Sequence, residues 1–116
     1  MTSRAYTNDP PLLILTSLAD GDKHGYALQQ DIERFAGVKL GPGTLYGAIS
    51  RLEERGLIEP AGSADSDHRR RRPYRITTAG AQALDAGLAE LRAVVEEGLS
   101  RLAARPLAPA PARGLA

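Results

Sequence analysis

Residues 41–75 set a short helix, bracketed at both ends, directly before a turn loaded with arginine. The helix reads GPGTLYGAISRLEERGL. Gly41 is a tolerable N-cap, and Pro42 has the φ that a first helical position needs. Gly56 suits a left-handed stop, after which Leu57 can fold back over the last turn. Leu45, Ile49 and Leu52 form one stripe, so the rod has an apolar back and a polar front. The turn then closes with HRRRRPYR, residues 68–75, where no acid stands among the arginines. A slim helix fits the major groove of DNA. Guanidinium groups beside it supply charge for phosphates. Each half alone is a weak signal; in succession they point to a nucleic-acid reader.

Length and composition narrow the alternatives. The 116 residues suit one domain. Hydrophobic residues make up 42% and aromatic ones only 4%, so a modest core must come from Leu, Ile, Val and Ala. The net charge is +1, so the basic character is local rather than global. Residues 79–104 lean acidic, with Asp85, Glu90, Glu96 and Glu97 against Arg92 and Arg101, which suggests a second end with another job. The chain has no cysteine, which removes disulfides, thiolate metal sites and cysteine nucleophiles. His24 and His68 stand far apart and make no zinc set, and Asp65 and Asp67 read as loop solvation. No metal and no cofactor is expected. No apolar run approaches the ~18 residues of a membrane span, and the opening MTSRAYTNDPP lacks the apolar middle of a signal peptide. The expectation is a soluble cytoplasmic protein without a membrane partner.

Along the chain, residues 1–9 read as a flexible polar arm. Pro10 and Pro11 open a first helix whose Leu12, Leu13, Ile14, Leu15 and Leu18 read as buried, and Asp20-Gly21-Asp22 breaks it. A second helix is predicted over about 24–36, with Leu28, Ile32 and Phe35 on one inward face, Tyr26 packed, and Gly37 as its stop. Strands are predicted over 57–61 and 71–77, and Pro60 and Pro73 mark both as edge strands. Thr77 or Thr78 caps a last long helix reaching about residue 104. Pro106, Pro109 and Pro111 make 105–116 a disordered Pro/Ala tail. The fold class is mainly α with a small β-hairpin (α+β).

The last helix carries its own inference. Leu84, Leu88, Leu91, Val95, Gly98 and Leu102 follow steps of four and three, a heptad stripe with one glycine gap. Such a helix spans about 40 Å, whereas a compact domain of this size has a radius of gyration of about 13 Å. Much of the helix would overhang its own core. A second copy of the chain is the simplest cover for the stripe, with Leu84, Leu88, Leu91, Val95 and Leu102 as the interface. Each covered Leu contributes about 1.5–3 kcal/mol, less the costs of ordering and association. The alternative is a helix folded back on its own domain.

Thr44, Tyr46, Gly47, Ser50 and Arg51 lie opposite the apolar stripe of the third helix. Thr44 and Ser50 suit a phosphate or a base edge, Arg51 a guanine, and Tyr46 a phosphate. Arg69, Arg70, Arg71 and Arg72 form the basic ribbon, with His68 as one more polar residue at its tip. In a strand alternate arginines face opposite sides, so two or three would meet one phosphate wall; Arg75 could face the protein. Lys23 and His24 begin the second helix, whose free N–H groups attract a phosphate. A purely structural His24 is an equal alternative.

Four stretches together resemble the PadR-like transcriptional regulators: LLILTSLADGDKHGYALQQDI from Leu12, PGTLYGAISRLEERGLIE from Pro42, the arginine turn, and YRITTAG from Tyr74. They cover nearly everything from Leu12 to Leu102. The resemblance implies a winged helix-turn-helix domain over 10–80 and a C-terminal dimerisation helix over 81–104. It implies a sequence-specific transcriptional regulator, a repressor of a neighbouring gene, which binds a near-palindromic operator in double-stranded DNA as a homodimer. In members that respond to a small-molecule inducer, the inducer releases them from DNA. Two departures stand out. Gly47 replaces the proline usual after the tyrosine, and Gly41 replaces the usual serine cap, so the start of the reading helix is less rigid. A single C-terminal helix resembles the short subfamily. The chain has no Trp, so the aromatic sandwich that holds flat drugs in some relatives lacks its key residue. Two rivals remain: a dimeric winged-helix module that binds protein rather than DNA, and a small enzyme using His24 with Asp20 or Asp22. The second has no phosphate loop or nucleophile elbow behind it, so no enzyme is expected.

Overall fold

Helix ends in this fold sit where the sequence supplies caps. The computed structural model describes residues 7–62 and 72–107. The order is α1 (Pro10–Leu18), β1 (Lys23–His24), α2 (Gly25–Ala36), α3 (Pro42–Glu54), β2 (Ile58–Pro60), β3 (Pro73–Ile76) and α4 (Thr78–Ala104). The Asp9 carboxylate accepts from Leu12 N–H at the start of α1, where Pro10 and Pro11 forfeit nothing. Gly37, at φ 68°, closes α2 and donates its N–H to Glu33. At the end of α3, Gly56 (φ 75°) donates to Glu53 O and Leu57 donates to Leu52 O, the two crossed bonds of a Schellman stop. Thr77 caps α4, its hydroxyl accepting from Gly80 N–H at 3.0 Å.

The core forms around α1. Leu13, Ile14, Leu15 and Leu18 are all buried, and α1 packs against α2, α3, α4 and β3. A run with apolar residues on every side is what a helix covered on every side requires. Leu28 and Ile32 come in from α2, Leu45, Ala48, Ile49 and Leu52 from α3, Leu57 from the turn after α3, and Ile58 and Tyr74 from the strands. Gln29 donates to the Leu40 carbonyl, which ties α2 to the segment leading into α3.

Four expectations are corrected. The sheet has three strands rather than two, in the order β1-β3-β2, all antiparallel. β3 is therefore central, and Pro73 is no edge-strand marker. It is tolerated because it is the first residue of its strand. Phe35 is 42% exposed instead of inward, since the segment after α2 supplies Val38 and Leu40 to the core. Tyr26 is exposed rather than packed, and its hydroxyl accepts from Gln30.

Leu84 also differs from its assignment to a dimer interface: it is buried in the core of its own chain. The stripe beyond it is uncovered, with Leu88, Leu91, Val94, Val95, Leu99 and Leu102 between 37% and 70% exposed. The radius of gyration of 18.9 Å and long axis of 66 Å reflect this overhang. Among the described residues no helix is long and apolar enough to cross a membrane, and no cluster of His, Cys, Asp or Glu could hold a metal.

Candidate nucleic-acid interface

The 3.6-residue period divides α3 into two faces. Leu45, Ala48, Ile49 and Leu52 are buried, while Thr44 and Arg51 are exposed and Tyr46, Gly47 and Ser50 are half-buried. Thr44, Gly47, Ser50 and Arg51 thus share the outward side, while Tyr46, on its flank, packs against the core and the start of α2. Gly41 makes no side-chain cap bond; Pro42 and the Leu45 N–H to Gly41 O bond (2.9 Å) help fix the first turn. The Arg51 guanidinium lies back over Gly47, where a methyl group would come within 3.6 Å of Nη1.

Tyr46 makes a contact that its sequence position did not reveal. Its hydroxyl rests on the backbone of Gly25, the first residue of α2; a Cβ at Gly25 would be 2.2 Å from that oxygen. Any larger residue there would have to displace the Tyr46 ring. The α2 N-terminus, the Tyr46 hydroxyl and the start of α3 consequently lie together. Between them is a cleft of about 210 Å³ lined by Tyr26, Gln29, Pro42 and Tyr46. The HGY triplet was the available signal, but a glycine's close approach is set by a partner twenty-one positions away and leaves no local pattern.

His24 is the N-cap of α2, its Nδ1 accepting from Ala27 N–H at 3.4 Å, and its side chain is exposed beside the same helix end. Lys23 is held within the chain. Its ammonium reaches the Ser17 carbonyl and the Asp20 carboxylate, the latter at 2.7 Å. That hydrogen bond, and the lysine charge behind it, hold the Asp20 carboxyl below its ordinary range. Asp31 is lowered as well, first by the Ser17 hydroxyl and then by Arg34. These contacts fasten α1, α2 and β1 together.

β2 and β3 rise beside α3 as the base of a hairpin. Ile58 pairs with Ile76, Glu59 with Arg75 and Pro60 with Tyr74. Arg75 meets Glu59 across the pair at 3.4 Å, so it serves the sheet. Arg72 is half-buried at the foot of β3. His68, Arg69, Arg70 and Arg71 lie outside the described residues, as do most of the N-terminal arm and the Pro/Ala tail.

Residues 14–86, running from α1 into α4, match the transcriptional regulator PadR-like family. An uncharacterized protein of transposon TN4556 from Streptomyces fradiae is 46% identical over 79 residues, 68% of this chain and 22% of that protein. The transcriptional regulator Rv3488 of Mycobacterium tuberculosis is 44% identical over 73 residues, 63% of this chain and 66% of that one. The chain thus spans under a quarter of the first of these relatives and just under two thirds of the second. A PadR family transcription regulator from hypervirulent Clostridium difficile R20291 shares the fold with a TM-score of 0.67 and 26% identity, over 80% of this chain and 97% of that chain. With the three helices, the three-stranded wing base and the long last helix all inside or adjoining that match, the chain belongs to the PadR-like family of transcriptional regulators, a family of regulators and not of enzymes.

Proposed function

We propose that this regulator is a repressor that binds a near-palindromic operator as a homodimer joined through α4, with release by a small-molecule inducer as its control. The observation that carries the reading is the outward face of α3: Thr44 and Arg51 exposed, with Tyr46, Gly47 and Ser50 beside them, over a fully buried back. In this reading α3 enters the major groove. His24 and the α2 N-terminus meet a backbone phosphate, and His68 with Arg69, Arg70, Arg71 and Arg72 grips the adjacent strand. Lys23 contributes less to DNA than the others, because Ser17 and Asp20 already hold its ammonium. Two copies place two reading helices about 34 Å apart, one turn of DNA.

The test is a salt titration on the DNA upstream of the chain's own coding sequence. Arg70→Ala with Arg71→Ala lowers affinity for every sequence and shallows the slope of log K against log salt by about 1–2 units. An unchanged slope removes the ribbon as a DNA contact. No retardation by the wild-type chain at low salt would favour the protein-binding module instead.

A further inference from the structure

The start of α4 is welded to the end of α3. Thr77 N–H donates to the Leu57 carbonyl at 3.1 Å, and the Thr77 hydroxyl donates to the Gly56 carbonyl at 2.7 Å while capping α4. Gly56 and Leu57 are themselves the Schellman stop of α3. Gly80 then lies so close that a Cβ would be 2.0 Å from the Leu57 oxygen and 2.8 Å from Ile76 Cγ1. That oxygen belongs to main chain held by a hydrogen bond, so it cannot swing aside as a side-chain tip would. Two turns along, Gly87 makes a looser contact: a Cβ there would meet only Leu12 Cδ1, at 3.1 Å.

We infer that Gly80, with Thr77, is a positioning element that sets the half-site spacing this regulator accepts; the inference rests on the proposed α4-joined dimer. Restoring ordinary contact at Gly80 requires about 1.4 Å of displacement. Gly80 and Gly87 are about 10.5 Å apart along the axis, so that displacement rotates the domain on α4 by about 8°. The far end of α3, about 20 Å from the joint, then moves by about 3 Å. Where that movement lies along the line joining the two reading helices, two protomers moving symmetrically change their separation by more than the ~3.4 Å rise of one base pair. A single methyl group at Gly80 is thus large enough to change register, whereas one at Gly87 is absorbed by the Leu12 tip.

The experiment selects paired half-sites for the wild-type chain from a random duplex pool, then measures affinity for the selected site with its spacer lengthened or shortened by one or two base pairs. The wild type prefers its selected spacing by about tenfold. Gly80→Ala moves the optimum by one or two base pairs or reduces the preference to within about threefold, while Gly87→Ala keeps the wild-type optimum. A folded, dimeric Gly80→Ala with the wild-type optimum overturns the inference. Should Gly80→Ala lose its helical circular dichroism, Thr77→Val decides. It keeps the packing but removes both hydroxyl bonds, and an unaltered spacing preference in it is equally fatal. A wild-type chain that selects no paired half-sites removes the dimeric-operator reading itself, a failure seen before any variant is made, and takes this inference with it.

Discussion

α1 and the outer two thirds of α4 are both rich in leucine, yet they meet opposite fates. Ile14 and Leu18 in α1 are 0% and 1% exposed; Val94, Leu99 and Leu102 in α4 are 70%, 62% and 61% exposed. The difference lies in pattern rather than content. α1 is apolar on consecutive positions, so no single neighbour could cover it, and the chain wraps it with α2, α3, α4 and β3. α4 is apolar along one stripe only, which one flat partner can cover. Leu84 marks the boundary. It is buried, and Leu88, one turn on, is 42% exposed. A helix can thus be half core and half exposed apolar stripe with no break in its repeat.

Damage to each helix separately tests this division. Ile14→Ala opens a cavity at a site closed on all sides and costs about 2–5 kcal/mol of unfolding free energy, a large share of a typical domain's total. Chemical denaturation followed by circular dichroism measures it; a loss below about 1 kcal/mol would mean that α1 is not the centre of the core.

Leu91→Asp should do the reverse. Leu91 is 37% exposed, so the domain keeps its fold while the proposed interface acquires two charges without partners. Sedimentation should show monomer, and operator affinity should fall by about a hundredfold or more, because one half-site must bind alone. A dimer that survives the substitution would move the interface off this stripe. Unfolding of the variant would show that α4 folds against its own domain after all.

What the sequence disclosed follows the same division between local and distant causes. Caps are local, so Thr77, Gly37 and Gly56 announced the ends of α4, α2 and α3. The faces of α3 follow from a period of 3.6, so the outward set from Thr44 to Arg51 was legible as a set. β1 was not legible. Its two residues have no strand pattern of their own and pair only because β3 offers an open side. Gly25 and Gly80 were equally silent as sites of close approach, since what a side chain there would meet is the Tyr46 ring in one case and the Leu57 carbonyl in the other. Phe35 kept the spacing of an inward residue yet points out, because Val38 and Leu40 fill that part of the core.

The smallest expected effect comes from the polar side of α1. α1 carries one buried polar residue, Ser17, and its hydroxyl donates to Asp31 of α2 at 2.6 Å. That bond first, and Arg34 second, lower the Asp31 pKa below the ordinary 3.8. A carboxylate that binds its proton less tightly when folded stabilises the fold in its ionised form. The contribution is full above the unfolded value and is lost as pH falls through the lowered folded one. Asp31→Asn should therefore cost about 1 kcal/mol at neutral pH, and the gap between variant and wild type should narrow as the pH drops below about 4. Urea midpoints at several pH values from 7 to 2.5 read this directly. Two curves that stay parallel down to pH 2.5 would show that the charge of Asp31 plays no part in holding α2 to α1, and the contact would reduce to a neutral hydrogen bond.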